Sequence, residues 1–118
     1  MDSPEITHPI EITVADLAAR LEAASKPDGA TVTVLDVREE GEIQTCALPE
    51  YLHMPLMDLP REFGSLPRDH ALVVICHHGV RSGQAVGFLR QQGFENAINL
   101  RGGIDAWAKQ IDPSMPQY

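Results

Sequence analysis

Apolar and polar positions fall in short runs along the chain, and the runs switch repeatedly between a period of two and a helical period. Ile10-Glu11-Ile12 alternates and predicts a short first strand. Thr13 follows as an N-cap with Asp16 three residues on, close to a capping box, and Val14, Leu17, Ala18, Leu21 and Ala24 then form one apolar stripe at helical spacing. Lys26-Pro27-Asp28-Gly29 ends that helix and turns the chain. Thr31-Val32-Thr33-Val34-Leu35-Asp36-Val37 is β-branched nearly throughout and is the clearest strand. A short helix or turn is predicted over 39–45, and a short third strand over 51–54 between Pro49 and Pro55. A short helix over 56–63 is predicted to be interrupted by Pro60.

Leu72-Val73-Val74-Ile75 is apolar without alternation, which suits the centre of a sheet covered on both faces. A helix is predicted over 82–92, with Ala85, Val86, Phe88 and Leu89 inward and Gly93 as its left-handed cap. Ala97-Ile98-Asn99-Leu100 reads as the last strand, Arg101-Gly102-Gly103 as a tight turn, and 104–110 as a closing helix carrying Trp107. The tail, 112–118, is broken by Pro113 and Pro116 and is expected to run extended over the surface. Strands alternating with helices imply an α/β domain, a parallel sheet of about five strands with helices on both faces.

Composition narrows this picture. A length of 118 residues predicts one domain over 1–118 with its core at about 10–111, and 43% apolar residues suffice for a core built on aliphatic side chains, since only 5% are aromatic. The net charge of -8 argues against nucleic acid and against an anionic membrane surface as partners. The longest apolar run, Ala71 to Cys76, is about six residues, far short of the roughly 20 needed to span a bilayer. Met1-Asp2-Ser3-Pro4-Glu5 has neither a basic nor an apolar leader region, so no signal peptide is read. Two cysteines make no disulfide scaffold, and a reducing, cytoplasmic setting is expected.

The candidate chemistry lies in Cys76-His77-His78-Gly79-Val80-Arg81-Ser82, between the apolar strand and the helix that follows. A loop of this length turns its backbone N–H groups toward a common centre, and a helix N-terminus adds its positive end, so the loop favours an anion. Here the anion is Cys76's own sulfur, and the rule for exposed cysteines in electropositive surroundings makes Cys76 a candidate nucleophile. His77, His78 and Arg81 add cationic groups against an acidic background. A cation in a first helical turn opposes the helix dipole, so Arg81 is expected either to bind an anionic substrate or to brace the loop by pairing with Asp36 or Glu39. Asp36 and Arg38 lie just past a strand's carboxyl end, where open α/β sheets place their sites, and are read as an ion pair bracing the loop from beneath, with Arg38 a candidate for substrate contact.

Cys46 reads as a packed free thiol in preference to a resolving partner for Cys76. Adjacent histidines ligate one ion poorly, and no second cluster at ligand spacing accompanies His77-His78, so no metal is expected. Gly102-Gly103 lacks the third glycine of a dinucleotide site and is read as a turn.

The loop, with cysteine first and glycine fourth, resembles the active-site loop of rhodanese-type sulfurtransferases. Asp36-Val37-Arg38-Glu39 resembles the motif ending that family's second strand, Leu48-Pro49 through Met54-Pro55 its proline-flanked third strand, and Leu100-Arg101-Gly102-Gly103-Ile104-Asp105-Ala106-Trp107 its closing strand, turn and helix. The resemblance spans about 10–111. It implies a sheet of strand order 1-5-4-2-3 and a ping-pong reaction. The cysteine takes sulfane sulfur from a donor such as thiosulfate, then passes it from a persulfide to cyanide or a thiol. No metal and no organic cofactor is implied.

Three departures stand out. Cys46-Ala47 and Glu50-Tyr51 occupy positions where the family often carries Gly-His and Gly-Ala, and Val80 is apolar where thiosulfate-preferring members carry polar side chains. A sulfur relay is a compatible alternative, in which a cysteine desulfurase is the donor and a sulfur-carrier protein the acceptor for cofactor or tRNA thiolation. A Cys-dependent phosphatase or arsenate reductase uses a similar cradle. Its loop, however, needs one residue more between cysteine and arginine than His77, His78, Gly79 and Val80 provide. A catalytically silent partner-binding module would not be expected to keep the cysteine.

Overall fold

A computed structural model describes residues 7–118; the stretch 1–6, which holds the Met1-Asp2-Ser3-Pro4-Glu5 segment read above for a leader, lies outside the described residues. The elements follow in the order β1 (Glu11–Ile12), α1 (Val14–Ala24), β2 (Val32–Asp36), α2 (Glu40–Thr45), β3 (Leu52–His53), α3 (Leu59–Glu62), β4 (Ala71–Ile75), α4 (Val80–Gln91), β5 (Ala97–Leu100) and α5 (Gly103–Gln110). The strands form one five-stranded parallel sheet in the order β1-β5-β4-β2-β3, as expected from the family resemblance. None of the described helices is long and apolar enough to cross a membrane.

The central strand explains the two layers. All five residues of β4 are buried, and successive side chains point to opposite faces. Val73 and Ile75 join Leu17, Val34, Ile98, Leu100, Ile104 and Trp107 on the face covered by α1 and α5. Leu72, Val74 and Cys76 join Leu35, Leu59, Ala85, Val86, Leu89 and Phe94 on the face covered by α3 and α4. The site is thereby held between two packed layers at the carboxyl edge of the sheet, where β2 and β4 end in register at Asp36 and Ile75.

Local signals were realised at α1. The Thr13 hydroxyl accepts the Asp16 N–H, and the Asp16 carboxylate accepts the Thr13 N–H, completing the capping box.

Three expectations are corrected. Pro60 does not interrupt its helix: it sits in the first turn of α3, where its missing N–H has no helical acceptor to lose, between 3-10 turns at Leu56–Asp58 and Phe63–Ser65. Helix α4 begins at Val80, not at Ser82, because Gly79 adopts φ 107 and turns the chain directly into the helix. The tail is not extended. The Met115 N–H returns to the Asp112 carbonyl, Met115 is buried against the α1/α5 face, and the chain folds back toward the sheet's carboxyl edge to place Tyr118 beside His77.

Candidate active site

The closing helix shapes the loop that follows β4. The Ile104 and Asp105 N–H groups, free at the start of α5, donate to the carbonyls of Cys76 (2.9 Å) and His77 (3.0 Å). This approach needs glycine at 103: its φ is 58, and a Cβ there would overlap those same two carbonyl oxygens. No peptide among the described residues is cis, and a trans peptide sends its N–H opposite to its C=O. Pinning the carbonyls of Cys76 and His77 onto α5 therefore turns the N–H groups of His77 and His78 away from α5.

The Gly79 N–H donates to Cys76 Sγ at 3.1 Å. The N–H groups of His77, His78, Val80, Arg81 and Ser82 meet no acceptor among the described residues, and those of Val80, Arg81 and Ser82 form the first turn of α4. The loop thus holds unpaired donors at the positive end of a twelve-residue helix, and one of its N–H groups, that of Gly79, meets the sulfur.

Behind the sulfur lies a polar chain. Ser82 Oγ is 3.3 Å from Cys76 Sγ and donates to Asn99 Oδ1. The Asn99 amide donates in turn to Glu11 (3.1 Å) and to the Gly79 carbonyl (3.2 Å), and Glu11 accepts from Arg101. Ser82 is fully buried. Asn99 and Glu11 escaped the sequence reading because they come from β5 and β1. Asn99, a polar side chain in an otherwise apolar strand, was the available signal.

Cys76 is not exposed as the sequence reading assumed. It is 1% exposed, since its side chain falls on the α4 face of β4, in the packed cluster with Ala85 and Val86. Cys46 is also a free buried thiol, but it packs in the opposite cluster, on the α1/α5 side of the sheet.

The expected cationic surroundings are corrected as well. Arg81 pairs with neither Asp36 nor Glu39: its two terminal nitrogens grip both carboxylate oxygens of Glu42, at 2.6 and 2.8 Å. Glu42 closes the capping box of α2 with Glu39 at its start, so one helical turn separates the expected partner from the observed one. The Arg81 guanidinium holds the Glu42 carboxyl down at about 2 despite partial burial, with the Tyr118 hydroxyl assisting. His77 is lowered, first by burial and then by the charge of His78. The positive character of the loop therefore comes from backbone N–H groups more than from net side-chain charge.

The Glu42–Arg81 pair carries a pH signature. A carboxyl depressed in the folded state contributes stability above its unfolded value of 4.5 and loses it as pH falls toward about 2. Glu42→Gln is expected to lower stability by about 1 kcal/mol at pH 7, the scale for a partly accessible pair. Urea midpoints of the two proteins should converge as the pH falls through that window; parallel curves would show that the pair contributes nothing.

Asp36 and Arg38 do form the expected pair, with both side chains fully buried. The Arg38 guanidinium grips both carboxylate oxygens (2.8–3.1 Å), then donates to the Cys46 carbonyl (2.8 Å) and to the Tyr118 hydroxyl (2.9 Å). Burial works against its charge, but the bonds to Asp36 and Tyr118 prevail and raise the guanidinium above its usual range. Arg38 thus braces the end of α2 and the tail, not the underside of the loop.

His78 Nε2 lies 3.9 Å from Asp105, and His77, His78 and Asp105 place their potential ligand atoms within 4.8 Å of one another. This cluster, made by the turn of α5, could not be seen in sequence spacing. The Lys109 ammonium shares its carboxylate, at 3.0 Å. Val80 stands 71% exposed at the loop.

Comparison with known proteins supplies the kinship. The sequence model of the rhodanese-like domain matches residues 13–110. A sulfurtransferase of Allochromatium vinosum is 37% identical over 99 residues, covering 84% of this chain and 88% of that protein. An adenylyltransferase and sulfurtransferase of Zea mays is 35% identical over 98 residues, which are 77% of this chain but 20% of that longer protein. Among solved structures, a rhodanese-related protein of Thermoplasma volcanium superposes with a TM-score of 0.76 at 35% identity, covering 87% of this chain and 94% of that one. A rhodanese-like domain protein of Staphylococcus aureus gives 0.73 at 27% identity, covering 84% and 91%.

Proposed function

The chain belongs to the rhodanese-like domain family, and on that premise we propose that it is a sulfurtransferase working through a persulfide on Cys76. The Cys76 thiolate attacks the outer sulfur of a donor R–S–S⁻ or thiosulfate. A new S–S bond forms as the donor's own bond breaks, and the bonding pair leaves with the thiolate or sulfite. The acceptor, a thiol or cyanide, then takes the outer sulfur and returns Cys76 as thiolate. No net oxidation of the protein occurs. The observation that carries this reading is the Gly79 N–H on the Cys76 sulfur, in a loop where the N–H groups of His77, His78, Val80, Arg81 and Ser82 are left without an acceptor among the described residues. Such preorganised donors stabilise an anion that extends one atom beyond Sγ.

The surroundings favour a donor of low charge. Arg81 is occupied by Glu42, and Val80 offers an apolar surface where a dianion such as thiosulfate gains nothing. A persulfide carried by a cysteine desulfurase, with a single negative charge on the transferring sulfur, suits this mouth better. The relatives include an adenylyltransferase and sulfurtransferase, which is consistent with a relay of that kind.

Intact-protein mass spectrometry tests both statements. Cysteine persulfide, with a single net negative charge, is expected to add one sulfur, about 32 Da, that cyanide removes. Thiosulfate is expected to need a several-fold higher concentration for the same occupancy. Equal efficiency would reject the charge preference, and no adduct from either donor would reject the persulfide.

A further inference from the structure

Tyr118 joins three parts of the site: His77, Arg38 and Glu42. Its ring stacks on His77 with centroids 3.8 Å apart and planes at 10°. Its hydroxyl accepts from Arg38 at 2.9 Å and donates to Glu42 Oε2 at 2.7 Å. The segment leading to it borders Cys46, Ile104 and Ala108. Burial pushes the Tyr118 hydroxyl up to about 12, even with the Arg38 guanidinium opposing, so it keeps its proton and remains a donor to Glu42. Glu42 in turn is the group that occupies Arg81.

We propose that Tyr118 is a specificity-determining residue of the sulfur transfer: by fixing Glu42 on Arg81 and roofing His77, it withholds Arg81 from anionic donors and biases the site toward donors of low charge. The geometry gives it two independent handles. The hydroxyl fixes the carboxylate in the position where both of its oxygens meet Arg81, and the ring covers one face of the residue next to the nucleophile. Removing the hydroxyl alone leaves Glu42 with one fewer bond and a less costly route away from Arg81. Removing the ring as well uncovers His77. The proposal rests on the sulfurtransferase reading for its kinetic consequence, but the anion-withholding geometry has a consequence of its own, anion affinity.

The test uses the full chain as wild type, Tyr118→Phe, Tyr118→Ala, Glu42→Gln and the double variant Glu42→Gln/Tyr118→Phe. With cyanide as acceptor, Tyr118→Phe and Tyr118→Ala are expected to lower KM for thiosulfate by ~3- to 5-fold, the worth of a partly accessible charge contact. The KM for cysteine persulfide, which carries a single net negative charge, should change by less than ~2-fold. In the Glu42→Gln background Tyr118→Phe should add nothing, because the carboxylate it orients is gone. A gain for one donor only is not something a merely loosened structure produces. Equal losses for both donors, or an unchanged thiosulfate KM, overturn the proposal. Titration calorimetry with sulfite, which transfers no sulfur, gives a readout that does not depend on turnover. Tighter sulfite binding by Tyr118→Ala supports the withholding of Arg81 even if no persulfide forms, and unchanged sulfite affinity rejects it.

Discussion

Cys76→Ser loses at least ~10³-fold in sulfur transfer, the scale seen when a covalent nucleophile is removed, while the fold stays intact. Serine presents the same short side chain to the Gly79 N–H and to Ser82, so the bonds at 3.1 and 3.3 Å keep an oxygen in place of sulfur. What is lost is ionisation and nucleophilicity: a hydroxyl near neutral pH is neither a thiolate nor a partner for sulfane sulfur. A folded protein with no adduct of about 32 Da after polysulfide treatment is the expected result. Turnover near the wild-type rate would remove Cys76 from the mechanism. Unfolding of the variant would instead expose a packing role, which unfolding free energies from urea within about 1 kcal/mol of wild type exclude.

Arg38→Ala has the largest expected effect on stability. Its side chain and that of Asp36 are fully buried, and the guanidinium also satisfies the Cys46 carbonyl and the Tyr118 hydroxyl. Truncation leaves a carboxylate uncompensated in the interior, which costs about 3–5 kcal/mol. For a domain of this size the melting temperature falls by roughly 10–20 °C. The decisive comparison is Asp36→Leu/Arg38→Met, which removes both charges and is expected to recover most of that loss, since the penalty comes from the orphaned charge and not from the absent pair. A loss below about 1 kcal/mol in Arg38→Ala would mean that water reaches Asp36 readily. Neither variant tests the thiol, so activity per folded molecule separates bracing from substrate contact at Arg38.

What the sequence made legible was local. The unbroken apolar run of β4, the capping pair Thr13 and Asp16, and the Cys76 loop all declare themselves within a few residues, and each has its place in the structure. What stayed hidden was non-local and electrostatic. Arg81 meets Glu42 across 39 positions and Tyr118 meets Glu42 across 76, and neither separation leaves a period to detect. Glu39, the partner expected from the sequence, lies one helical turn from the observed one, because it caps the start of α2 and the third residue of that helix, Glu42, turns back toward the loop. The tail misled for a related reason. Pro113 and Pro116 signal a break in helix, but they carry no information on whether the chain then finds a buried place for Met115 or a polar one for Tyr118. The early start of α4 was in principle readable from Gly79, whose positive φ makes it a better N-cap than an interior loop residue.

The bonds from Ile104 and Asp105 to the carbonyls of Cys76 and His77 also set an order of events. A nascent chain that has emerged as far as α4 already contains the entire loop, yet the amides that pin it belong to residues still to be made. Until then β4 lacks its neighbour β5, β1 has nothing to pair with, and the peptides flanking the cysteine are free to rotate. The backbone on either side of Cys76 is therefore fixed only when α5 docks and the sheet closes around it. The surroundings of Cys76 are thereby tied to completion of the fold.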